Sequence, residues 1–83
     1  MPFFVYIIYS VSIDQYYVGQ CEDLNDRIYR HKNAGSKSTK KASDWELKYT
    51  ETFDERSKAV NREQEIKRKK SRRYIEWLIS SAD

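Results

Sequence analysis

The chain opens on Phe3-Phe4-Val5-Tyr6-Ile7-Ile8-Tyr9, apolar or aromatic throughout and without alternation. A short run of β-branched and aromatic residues with that pattern reads as a strand covered on both faces. Ser10 to Asp14 reads as a turn, and Tyr16-Tyr17-Val18-Gly19-Gln20 as a second strand, so the pair forms an antiparallel hairpin. With an even-numbered loop such as Val11 to Asp14, period two puts Tyr6, Tyr17 and Gly19 on one face of the sheet. A glycine inside a strand leaves room for another group to approach the backbone. Two phenols converging beside a gap are one reading of this pattern; ordinary sheet tyrosines, in a chain with seven of them, are the other.

Asp23 is placed to cap a helix that runs to about Lys32 and stops near Asn33-Ala34-Gly35. With Leu24 at 0° and about 100° per residue, Ile28 falls at about 40°, His31 at about −20° and Arg27 at about −60°. His31 and Arg27 thus share the inward stripe, facing the sheet or a cleft; a hydrogen-bonded core-edge histidine with an arginine snorkelling past it is the plainer account. Ser36 to Ser43 is polar and basic and reads as a loop. Trp45 to Phe53 alternates apolar and polar, which predicts a half-exposed third strand. Asp54 is expected to cap a helix of roughly Glu55 to Lys67, and a last helix spans about Ser71 to Ser80, its Tyr74, Ile75, Trp77, Leu78 and Ile79 read as core. In the earlier of these two helices Glu63 lies within the apolar arc, between Ala59 and Ile66. Burying an unpartnered carboxylate costs several kcal/mol, so Glu63 calls for a metal ion or for a cation such as Arg27 or Arg56. The expected architecture is α+β, a three-stranded antiparallel sheet with flanking helices in the order β-β-α-β-α-α, as a single domain over residues 1–83.

Composition narrows the partners. The 83 residues carry 16 Lys+Arg and 13 Asp+Glu, a net charge of +3, but the excess is local. Residues 1–53 are balanced, whereas Asp54 to Arg73 holds nine basic residues against four acids. A clustered basic face is the footprint of a polyanion binder, and also of a solvated helix face. Cys21, the one cysteine, excludes an internal disulfide and a Cys-rich zinc site. Phe3 to Tyr9 is too short to span a bilayer and lacks the basic flank and cleavage site of a secretory signal, so a reduced, cytoplasmic, soluble protein is expected.

Four elements in order carry a family resemblance. Phe4-Val5-Tyr6 and Tyr17-Val18-Gly19 resemble the two signature triplets of the GIY-YIG nuclease family. Arg27-Ile28-Tyr29-Arg30-His31 resembles its Arg-x-x-x-His helix, and Asn61-Arg62-Glu63 its second-helix segment, with Glu63 in place of the metal-binding glutamate. The chain is most similar to small stand-alone bacterial members, and to the N-terminal nuclease domain of the excision-repair excinuclease. It departs at Phe4, where the family has glycine, at Gln20, where excision-repair members carry lysine, and at His31, where they carry tyrosine. The resemblance implies metal-dependent endonucleolytic hydrolysis of nucleic acid, with DNA as the expected polymer. It implies a single Mg²⁺ or Mn²⁺ on Glu63, with Tyr6, Tyr17, Arg27, His31 and Glu63 as the catalytic set.

Arg27 offers a planar fork for a phosphate oxygen, while Tyr6, Tyr17 or His31 would hold or deprotonate the attacking water. Substrate grip would come from Lys37, Lys40 and Lys41 and from Lys67, Arg68, Lys69, Lys70, Arg72 and Arg73, through phosphate contacts that carry no base information. Cutting is therefore expected to be structure-selective or weakly specific, in DNA repair or recombination, with a partner protein as one source of specificity. A non-cleaving nucleic-acid-binding module of the same fold and a protein-interaction domain using Tyr9 or Tyr29 are the competing readings.

Overall fold

The computed structural model describes residues 2–33 and 39–81. The hairpin strands are β1 (Phe3–Ser10) and β2 (Gln15–Cys21); α1 (Leu24–Asn33), β3 (Glu46–Phe53), α2 (Arg56–Lys69) and α3 (Arg72–Ser81) follow. The sheet is antiparallel in the order β2-β1-β3, so the order β-β-α-β-α-α and the α+β class stand as expected. The unalternating run is the central strand: Val5, Tyr6, Ile7 and Ile8 have no exposed surface at all. Tyr6 pairs with Gly19 and Ile8 with Tyr17 across a turn of residues 11–14, which puts Tyr6, Tyr17 and Gly19 on one face.

The two faces of β1 face different layers. Val5 and Ile7 pack with Val18, Ala59, Ile66 and Leu78, joining the sheet to α2 and α3. Tyr6 and Ile8 pack with Cys21, Trp45, Leu24 and Ile28, joining it to α1 and to the segment before β3. A fully buried aliphatic side chain contributes about 1.5–3 kcal/mol, so these layers hold most of the stability that so small a chain can gather.

Three expectations are corrected. The period-two pattern from Trp45 to Phe53 puts its apolar residues on one face, but β3 carries a bulge. Ile7 pairs with Tyr49 and Ile8 with Leu47, leaving Lys48 without a partner. One extra residue reverses the alternation. Tyr49 and Phe53 therefore face α2 and α3, whereas Trp45 is buried on the α1 side. Asp54 does not cap α2; Glu55 holds the N-cap position without a side-chain bond, and Asp54 pairs with Lys58 at 3.0 Å. Trp77, read as core, is 58% exposed and stacks on Tyr74, because only Leu78 of α3 is fully covered. Asp23 does cap α1, its Oδ1 accepting from the Asp26 amide at 3.0 Å. The stop expected at Ala34-Gly35 lies outside the described residues. No described helix is long and apolar enough to cross a membrane.

Trp45 is 1% exposed and donates its indole N–H to the Thr39 carbonyl at 2.8 Å. Trp45→Ala is expected to cost about 3–5 kcal/mol, a large part of the roughly 5–15 kcal/mol typical of a domain. Urea unfolding followed by circular dichroism checks this; a midpoint unchanged from wild type would show that Trp45 carries no part of the core.

Candidate active site

The α1 face of the hairpin gathers polar aromatic groups inside an otherwise apolar layer. The Tyr6 hydroxyl lies 2.8 Å from His31 Nε2, and the Tyr17 ring centroid is 5.1 Å from that of His31 and 6.4 Å from that of Tyr6. The cluster depends on Gly19. A Cβ there would sit 2.4 Å from the Tyr6 oxygen and 2.6 Å from its Cζ, well inside contact distance. Only a glycine lets the phenol cross beneath the β2 backbone. Tyr6 is fully buried and Tyr17 half-buried, so the second phenol is the one that reaches solvent.

The inward stripe of α1 brings two further groups to the same place. His31 is 4% exposed, with Nδ1 bonded to Thr39 Oγ1 at 2.9 Å. Arg27 is half-buried, and its charge acts on both Tyr6 and His31. Burial, and then the Arg27 charge, push the His31 pKa below its ordinary value. Burial, reinforced by Tyr17 and only partly opposed by Arg27, pushes the Tyr6 pKa far above the usual phenol range. The site therefore holds a protonated phenol against a neutral imidazole. Among the described residues Arg27 makes no ion pair, which leaves its guanidinium fork available to an anion.

Glu63, on α2, is linked to this cluster through Lys67. It is not turned to bulk solvent, its side chain being 18% exposed, and it is not locked to Arg27 or Arg56. Its partner is the Lys67 ammonium at 3.1 Å, one helical turn on, while Arg56 pairs instead with Glu22. The Lys67 ammonium stands 5.6 Å from the centroid of the Tyr17 ring, so Glu63, Lys67 and Tyr17 form a chain around the free edge of β2. Arg56 meets Glu22 and Lys67 meets Tyr17, so α2 runs antiparallel to β2. At about 1.5 Å of helix per residue against about 3.3 Å of strand, Glu63 falls at the level of Val18 and Gly19. On the next residue of β2, Gln20 Oε1 is buried with no hydrogen-bond partner among the described residues, an orphan of the kind that marks a site for an unseen donor or cation.

Among the described residues no group of three or more His, Cys, Asp or Glu side chains could hold a metal ion. One carboxylate and one neutral amide oxygen still fit a hard cation such as Mg²⁺, which binds through one or two carboxylates and keeps several waters. They do not fit zinc or a two-metal clamp.

The basic residues divide into two sets. Lys67, Lys70 and Arg72 rim a cleft of about 410 Å³ between β2 and the α2–α3 junction, beside Tyr17 and floored by Val18 and Ile66. Arg72 is engaged by Asp14 and Glu76 and lies over the Tyr16 ring. Among the described residues Arg68, Lys70 and Arg73 are exposed and make no ion pair, and Lys69 lies over Tyr74. Lys40 and Lys41 are exposed on the other side of the sheet, beyond His31, and Lys37 lies outside the described residues. Sequence reasoning misses two members of the cluster. By sequence Lys67 reads as a phosphate contact rather than the partner of Glu63, although its i,i+4 spacing from Glu63 is a signal. Thr39 sits in a run of polar residues that reads as solvated loop, and no local pattern marks it as buried.

Comparison with known proteins identifies the family. A family model described as the GIY-YIG catalytic domain matches residues 2–75. The chain is 42% identical over 65 residues to a UPF0213 protein of Staphylococcus epidermidis, covering 77% of this chain and 78% of the relative. It is 38% identical, with the same coverage, to a UPF0213 protein of Staphylococcus aureus. Among solved structures it is similar to the solution NMR structure of a UPF0213 protein from Bacillus halodurans. That likeness has a TM-score of 0.60 and 32% identity, over 96% of this chain and 84% of the other.

Two outcomes follow from this geometry. Gly19→Ala forces the locked Tyr6 ring aside, and urea unfolding should show a loss of about 1–3 kcal/mol; an unchanged midpoint would mean that the ring yields freely. His31 is held neutral in the fold, while in the unfolded chain it takes a proton near pH 6.5. Just below that pH the unfolded state binds more protons, so stability falls on acidification until the lower folded-state pKa is passed. Thermal midpoints should drop between about pH 7.5 and 5, and less steeply in His31→Gln. Equal slopes in the two proteins would contradict the assignment.

Proposed function

Because this chain belongs to the GIY-YIG catalytic-domain family, we propose that it is a metal-dependent endonuclease hydrolysing nucleic-acid phosphodiesters, with DNA as the expected polymer. The observation that supports this most is the meeting of Tyr6, Tyr17, His31 and Arg27 at the β2 edge that Glu63 approaches from α2. Arg27, without a carboxylate partner among the described residues, would grip a non-bridging phosphate oxygen and the charge that grows on it. Tyr17 reaches solvent and would orient the attacking water. Tyr6, kept protonated by burial, and neutral His31 stand behind it, and His31 is the group of this layer that accepts a proton without first ionising. Glu63, with the unpartnered Gln20 side-chain oxygen as a second candidate ligand, would hold one Mg²⁺ or Mn²⁺, whose charge when bound offsets that of the departing oxygen.

Lys67, Lys70 and Arg72 at the cleft, with Arg68, Lys69 and Arg73 around the α2–α3 junction and Lys40 and Lys41 beyond α1, would contact phosphates along a strand. Such contacts position a substrate without reading its sequence, which favours structure-selective cutting, in the cytoplasm and in repair or recombination, with specificity from a partner protein. One observation favours a second reading, a nucleic-acid-binding module that does not cut: the lone carboxylate of the site already holds an ammonium at 3.1 Å.

Incubation of flapped, branched and nicked DNA with Mg²⁺ or Mn²⁺ separates the two. Cleavage is expected from the wild type and to fall by about 10²-fold or more in Arg27→Ala and Glu63→Ala, with binding retained and weakened steeply by salt. Equal product from wild type and Glu63→Ala would reveal a contaminating nuclease, and salt-sensitive binding with no cleavage under either metal would establish the binding module.

A further inference from the structure

Hydrogen-bond accounting around Tyr6 singles out a residue that no reading of the sequence marked. The Tyr6 hydroxyl has one proton, and the group has no exposed surface, so that proton needs an acceptor inside the protein. Its hydrogen-bond partner among the described residues is His31. His31 Nε2, at 2.8 Å, is then the acceptor for the Tyr6 proton and carries none of its own. A neutral imidazole has a single N–H, which places it on Nδ1, where it donates to Thr39 Oγ1 at 2.9 Å.

Thr39 is built to hold that contact. It has no exposed surface, and its carbonyl accepts from Trp45 Nε1 at 2.8 Å and from the Ala42 amide at 3.3 Å. Two backbone anchors and a β-branched side chain with few rotamers fix the hydroxyl in place. The order of donation is then His31 to Thr39 and Tyr6 to His31. We propose that Thr39 is a positioning residue that holds His31 in the Nδ1–H tautomer, and through His31 fixes the direction of the Tyr6 hydroxyl. Thr39 touches no reacting atom. Its kinetic consequence rests on the hydrolytic reading above, whereas its effect on His31 does not.

His31 is the only histidine of the chain, so its ring nitrogens give one set of signals in a ¹⁵N spectrum of the whole protein. The wild type and Thr39→Ser, which keeps the hydroxyl, are expected to show a protonated Nδ1 and a bare Nε2 at neutral pH. Thr39→Val, of the same shape but without the acceptor, is expected to move the proton to Nε2 or to mix the two forms. Should the valine protein fail to fold, the wild-type and serine spectra decide alone. A wild-type Nε2–H tautomer, or a valine variant with the tautomer unchanged, overturns the proposal. In cleavage assays Thr39→Val is expected to lower kcat about tenfold or more with KM little changed, as for a group acting in the transition state, and Thr39→Ser to restore it. A tautomer shift in a protein that never cleaves would leave Thr39 in its positioning role and remove the hydrolytic reading instead.

Discussion

Tyr6 stands in the middle of a strand whose neighbours Val5, Ile7 and Ile8 are wholly excluded from water, and it is excluded with them. A phenol in that position must find both its acceptor and its room within the fold. Gly19 supplies the room, since any Cβ at that position would collide with the Tyr6 oxygen. His31 supplies the acceptor from a helix whose inward stripe is otherwise anchored by Leu24 and Ile28. The same requirement ties α1 to the hairpin and sets the direction of each hydrogen bond as far as Thr39.

The second constraint is electrostatic. Glu63 lies between the two buried residues of α2, Ala59 and Ile66, where an unaccompanied carboxylate would be costly. Lys67 answers that cost with a flexible, half-exposed ammonium rather than a rigid guanidinium. A part-buried bidentate pair is placed elsewhere: Arg62 grips Glu51 at 2.9 Å and bonds Tyr74, bracing β3 against α2 and α3. The arginine best suited to a permanent structural bridge is thus spent away from the candidate site, and the carboxylate within it keeps an exchangeable partner.

Much of this was legible in the sequence because it depends on short-range periodicity. The unbroken apolar run gave the central strand, parity across the hairpin put Tyr6, Tyr17 and Gly19 together, and a turn-by-turn count put His31 and Arg27 on the inward stripe of α1. What escaped depends on chain geometry that residue types do not encode. The bulge at Lys48 leaves the alternation of types intact while reversing which way Trp45 points. Thr39 is buried where Trp45 and His31 close over it from the elements on either side. Trp77 looks like core by type, yet α3 is covered along a narrow stripe centred on Leu78.

That bulge has a bearing on which changes in this chain are silent. The stretch from Thr39 to Tyr49 looks like a connector whose composition matters little. Between Trp45 and Tyr49 its arithmetic is what matters: adding or removing one residue there would turn the indole from the layer behind the imidazole to the opposite side of the sheet. Among descendants of a common ancestor, drift in that connector should therefore proceed through exchanges of residue and rarely through single insertions or deletions, even though most of it never approaches a substrate.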